Sequence, residues 1–134
     1  MSADGFAANL TEIMDRGRKF DAKWILLNNN HPTTRDEDVF PKTSKTFEDS
    51  NREYNAVVRR IASDASSDVI FTDIEAAFES IVGRDRGKLA DLLLSDGLHL
   101  SRRGHDVYFD SVVDRLEGCL VDVIRRGSPV GDCR

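Results

Sequence analysis

The chain has 134 residues, 40% of them hydrophobic and 32% charged, and a formal net charge of −5; this is the make-up of one folded domain spanning residues 1–134. A net negative charge, with acidic and basic residues mixed along the chain, argues against nucleic acid or an anionic membrane surface as the main partner. No apolar run approaches the ~18 residues that span a bilayer, and Met1-Ser2-Ala3-Asp4 opens no basic-then-apolar leader, so the expectation is a cytoplasmic protein without a membrane span.

Phe6, Leu10, Ile13, Met14 and Gly17 recur at helical spacing and predict an amphipathic helix over about 5–19. Trp24-Ile25-Leu26-Leu27 is a continuous apolar run that stops at Asn28-Asn29-Asn30-His31-Pro32, a turn signal. A run without alternation suits a strand buried on both faces of a parallel sheet. The stretch from Thr33 to Lys45 is polar, carries Pro41 and is long for a connection, so it reads as a functional loop or a poorly ordered one. Phe47, Tyr54, Val57, Val58 and Ile61 mark a second amphipathic helix.

Val69 to Ile74 is a second buried strand, rich in β-branched residues. Strand, helix and strand form a βαβ unit, which should cross over right-handed. Short helices are expected over 75–82 and 88–94, and a long one over 102–126. Tyr108, Val112, Leu116, Cys119, Leu120 and Val123 line one face of that last helix, with Ser101 as its N-cap. Two strands make a thin sheet, and a bare Trp-Ile-Leu-Leu edge invites pairing. The rest of a longer chain, a second copy or an unrecognised strand should cover it. Of the two cysteines, Cys119 falls in an apolar helical pattern and reads as a core residue, while Cys133 is next to last; they make neither a disulfide framework nor a zinc motif.

The chemistry concentrates in Leu94-Ser95-Asp96-Gly97-Leu98-His99-Leu100-Ser101-Arg102-Arg103-Gly104-His105. An Asp three residues before a His can share one loop turn with it and accept a hydrogen bond from Nδ1–H. That bond fixes the tautomer, leaves Nε2 free to take a proton from a hydroxyl and stabilises the imidazolium. Gly97 suits the tight turn between them. The bland reading is an Asp-Gly turn before a helix, and a third reading is a metal set of Asp96, His99 and His105. Ser101 reads first as a helix cap and only second as a nucleophile. Asn28, Asn29, Asn30 and His31 follow a strand, at the edge where open α/β sheets bind ligands. Turn formation is the plain role for these four, and substrate contact by Asn30 and His31 the functional one. Val130-Gly131-Asp132-Cys133 offers a thiol without the strand and helix a nucleophile needs around it.

Asp96-Gly97-Leu98-His99, followed by Gly104-His105, resembles the last conserved block of the SGNH, or GDSL-type, hydrolase family: Asp-x-x-His just before a C-terminal helix. Phe6-Ala7-Ala8-Asn9-Leu10 looks like the helix after the family's third block. Trp24 to Pro32 looks like its fourth strand and the following loop, Tyr54-Asn55 lies in a helix like the one leading to its fifth strand, and Val69 to Ile74 would form that strand. The resemblance runs from about Gly5 to Leu120. It implies an α/β fold of the flavodoxin-like, three-layer kind, here with a partial parallel sheet. It also implies hydrolysis of a carboxylic ester of a small molecule, with no metal or other cofactor. In the family a Ser in a Gly-Asp-Ser block is the nucleophile, and a Gly and an Asn from two further blocks complete the oxyanion hole. None of these three blocks occurs in the 134 residues. The resemblance therefore carries over only Asp96, as orienting acid, and His99, as general base. The expectation is a chain inactive alone, completed by a serine-bearing N-terminal half in a longer chain or a partner. The alternatives are a non-catalytic binding or assembly module, dimeric through its bare strand edge, and a complete enzyme with an unusual nucleophile.

Overall fold

The two apolar runs form a parallel pair of strands. In a computed structural model, which describes residues 2–126, the element order is α1 (Ala3–Lys19), β1 (Ile25–Asn28), α2 (Phe47–Asp64), β2 (Val69–Thr72), α3 (Ile74–Val82), α4 (Arg86–Leu92) and α5 (Arg102–Arg126). β1 and β2 pair with Ile25 opposite Val69 and Asn28 opposite Thr72. The Ile25 N–H donates to the Asp68 carbonyl at 2.8 Å and sets this register.

Successive strand residues face opposite sides. Leu27 and Val69 pack with Met14 of α1 and Val58 of α2, whereas Ile70 packs with Cys119 and Leu116 of α5. Helices therefore cover both faces. α3 and α4 close a third cluster against α5, built on Ile74 and Phe78, neither of which retains any exposed surface. Leu92, Leu93 and Leu100 belong to this cluster, which anchors both ends of the loop that carries Asp96 and His99.

Several element ends differ from the sequence expectation for local reasons. β2 stops at Thr72, because the Asp73 side chain accepts from the Ala76 N–H and caps α3, and Ile74 turns inward as that helix's first residue. α4 is shifted toward the N-terminus because Asp85 takes the N–H groups of Gly87 and Lys88, and Leu93 leaves the helix to bridge Leu100. Trp24 stands outside β1. The long polar segment is an anchored loop: the Thr33 N–H and hydroxyl both donate to Glu48 Oε2, at 2.8 and 2.9 Å, and Val39 bridges Thr46. A reciprocal capping box between Thr46 and Asp49 then starts α2.

Among the described residues no third strand pairs with β1. Its outer edge is bare, Leu26 is 49% exposed, and Trp24, Ile13 and Phe20 are exposed as well. No described helix is long and apolar enough to cross a membrane.

The end of α1 is tied to the start of β2 by Arg18, whose Nε and Nη2 both reach Asp68, at 2.7 and 3.2 Å. This guanidinium, with the Ser66 hydroxyl, holds the Asp68 carboxyl at about 2. A folded-state value below the unfolded one means the contribution is present above pH ~4 and lost as pH falls toward 2. Thermal melts at pH 6 and pH 2.5 should therefore converge in Asp68→Asn, relative to wild type, by about 1 kcal/mol after solvent screening. An unchanged difference between the two pH values would remove the pair from the stability of the fold.

Candidate active site

The Asp–His loop is a narrow hairpin between α4 and α5. Leu93 bridges Leu100, the Leu94 N–H donates to the His99 carbonyl at 2.7 Å, and the Ser101 N–H donates to the Leu92 carbonyl at 3.0 Å. Two glycines make it possible. Gly97 has φ +68°, and a Cβ there would collide with Thr34 Oγ1. The Thr34 N–H donates to the Gly97 carbonyl at 3.0 Å, strapping the loop to the segment after β1. Gly104 lies in the first turn of α5, where a Cβ would drive into the Leu92 carbonyl.

Asp96 is fully engaged within this hairpin. Its Oδ1 accepts from the N–H groups of Leu98 and His99, each at 3.0 Å, and its Oδ2 stands 2.5 Å from His99 Nδ1. The His99 ring and then the two backbone donors hold the Asp96 carboxyl far below the usual carboxylate range. An ionised Asp96 can only accept, so the proton of this contact lies on His99 Nδ1. The pair is open to water: the His99 side chain is 70% exposed and that of Asp96 47%.

A cleft of about 370 Å³ lies in front of His99, lined among others by Asn30, His31, Asn51 and His105. Asn30, His31 and His99, which the sequence singles out, thus share one cleft, with Asp96 behind the base. His31 stacks on Phe78, ring centroids 5.5 Å apart, and its Nδ1 stands 2.9 Å from the Pro32 carbonyl. Burial pushes its pKa down, so it is neutral near pH 7. Asn29 turns away: its amide donates to Asp73 Oδ1 at 2.7 Å and its carbonyl accepts from the Glu75 N–H at 3.2 Å, lacing the ends of the two strands together. Asn28 reaches the Tyr108 hydroxyl at 3.4 Å.

A polar stripe on α2, which the apolar pattern of the sequence hides, holds the cleft wall. Asn55 accepts from the Asn30 N–H and donates to the Asn30 carbonyl, both at 2.9 Å. Asn51 donates to the His31 carbonyl at 2.9 Å, Glu48 holds Thr33, and Arg59 pairs with Asp73 and Glu75. Residues 48, 51, 55 and 59 fall on one helix face, and that spacing of hydrogen-bonding side chains is the signal the sequence carries.

Ser101 is a cap, accepting from the Gly104 N–H at 3.2 Å while its hydroxyl donates to the Asp91 carbonyl at 3.0 Å. Cys119 is buried in the core, and Cys133 lies outside the described residues. Among the described residues no three His, Cys, Asp or Glu side chains converge as metal ligands. A larger cavity of about 650 Å³ shares Thr33 with the cleft, but its walls carry the ion pairs Arg52–Glu48 and Arg86–Asp36 and none of the Asp–His machinery. No family model, curated protein or solved structure matches the chain.

Gly97→Ala should cost about 1–3 kcal/mol from backbone strain and the Thr34 collision. It should also erase the downfield Nδ1 proton resonance expected of the His99–Asp96 contact. A variant with wild-type melting and an intact resonance would contradict this loop geometry. Asn55→Leu, which orphans the Asn30 N–H and carbonyl together, should lower stability by about 2–4 kcal/mol in denaturant titration. A loss no larger than that of a surface substitution would show that water replaces the clamp.

Proposed function

We propose that this chain supplies the acid–base half of an SGNH-type ester hydrolase, with Asp96 as orienting acid and His99 as general base. The observation that carries the reading is the 2.5 Å contact between Asp96 Oδ2 and His99 Nδ1, beside a cleft at the C-terminal end of β1. In this reaction a serine hydroxyl gives its proton to His99 Nε2 as its oxygen attacks the ester carbonyl. The imidazolium, steadied by Asp96, returns the proton to the leaving alcohol. A water deprotonated by the same Nε2 then releases the acyl group. The serine and the oxyanion donors come from outside these 134 residues, in a longer chain or in a partner. The bare edge of β1 and the uncovered Trp24, Leu26, Ile13 and Phe20 support a larger, flavodoxin-like sheet in the working protein.

The same bare edge favours one other reading, a non-catalytic module that assembles through β1, as a homodimer or with another strand-bearing protein. A fluorophosphonate probe separates the two. The purified, folded chain should take up no adduct, and it should hydrolyse p-nitrophenyl acetate no faster than its His99→Ala variant. Joined to a serine-bearing SGNH segment that completes the sheet, it should label on that serine. Asp96→Asn should then slow the reaction about 10⁴-fold. A completed but unlabelled complex leaves the assembly module standing. Stoichiometric labelling of a serine in the chain alone, lost in His99→Ala, overturns the missing nucleophile.

A further inference from the structure

His31 is mounted more rigidly than a turn residue requires. Phe78, with no exposed surface, forms the floor under its ring. Its carbonyl is held by Asn51 and the preceding residue by Asn55. A carbonyl oxygen can only accept, so the 2.9 Å contact with Pro32 puts the proton on Nδ1. Burial opposes a second proton, and His99 and His105 add repulsion that outlying Glu48 and the Pro32 carbonyl offset only in part. Nε2 is therefore a lone pair. It has no partner among the described residues, His31 is only partly buried, and its ring lines the same cleft as the proposed general base.

A fixed, unpartnered acceptor beside a reacting centre discriminates. A ligand that brings a donor satisfies it, whereas an alkyl group strips its water and gives nothing back. An anionic group would face the lone pair directly and is disfavoured.

We propose that His31 is the specificity-determining contact of this cleft: its Nε2 accepts a hydrogen bond from a hydroxyl on the ester substrate and so selects hydroxylated esters over simple alkyl esters. This rests on reading His99 as the base of an ester hydrolase. Asn30, exposed at the cleft mouth on a clamped backbone, offers a second polar contact to the same alcohol portion.

The test needs no catalysis. The ¹⁵N-labelled chain at pH 7.5 is titrated with glycerol monoacetate or with propyl acetate, which has the same carbon skeleton and no hydroxyl, while the imidazole nitrogens are followed by long-range ¹H–¹⁵N NMR. Glycerol monoacetate should shift His31 Nε2 upfield and bind about fivefold tighter than propyl acetate. His31→Phe, which keeps the stack on Phe78 and removes the acceptor, should abolish that preference, and His31→Gln should restore part of it. Equal affinities in the wild type, a His31 Nε2 that stays still while His99 moves, or a preference that survives in His31→Phe would each overturn the assignment and leave the ester-site reading intact. If neither ester moves His31 or His99, the ester-site reading falls, and this inference falls with it.

Discussion

The cleft wall after β1 hangs on the backbone of Asn30, and that backbone is held by one buried side chain. Asn55 is 1% exposed and commits its carbonyl and its amide to the N–H and carbonyl of Asn30. A chain leaving a two-stranded sheet lacks further strands to satisfy its polar groups. A helix-borne amide does so here, at the cost of placing a polar residue where α2 would otherwise pack apolar atoms. From Asn30 the constraint propagates. His31 is set on Phe78, Thr33 on Glu48, and Thr34 is brought to Gly97, so the loop after β1 and the loop before α5 meet although 60-odd residues separate them in sequence.

The Asp96–His99 pair was legible because it is local. Three residues of separation, a glycine between and a helix after suffice to place a carboxylate on an imidazole, and the structure builds that contact within a single hairpin. The two strands and the long helices were legible from their apolar periodicity. The cleft was not, because its wall is made by contacts between distant polar residues: Asn55 with Asn30, Asn51 with His31, Thr34 with Gly97. Apolar periodicity carries no record of such pairs. The ends of β2 and α4 depart from the apolar pattern for a related reason. Asp73 and Asp85 act as caps through their side chains, and a hydrophobic pattern continues past a cap without noticing it.

The bare edge of β1 and the exposure of His99 belong to one problem. An imidazole exposed to 70% stands in water, where the field of Asp96 is weak and charges are screened. Oxyanion and imidazolium stabilisation gain their strength only where water is excluded. Nothing in the described residues covers this side of the cleft. Whatever pairs with β1 lies beside the C-terminal end of that strand, which is also the rim of the cleft. The surface that would complete the sheet is thus the surface that would dry the proposed site, and in the proposed enzyme folding completeness and catalytic competence would be coupled through a single edge.

Two of the three histidines that face this cleft, His31 and His99, illustrate how environment can divide like groups into unlike roles. His99 stands in solvent with an anionic carboxylate on Nδ1. His31 sits on an apolar ring with a neutral carbonyl on Nδ1, an arrangement that penalises a second proton and preserves the lone pair. Exchanging their surroundings would exchange their chemistry, since the imidazole is the same. The carboxylate is supplied by the hairpin at Asp96 and the apolar floor by Phe78, and both of these rest on the α3–α4–α5 cluster. The part of the core that looks furthest from the sheet is therefore the part that, in the proposed enzyme, would assign proton transfer to one imidazole and recognition to the other.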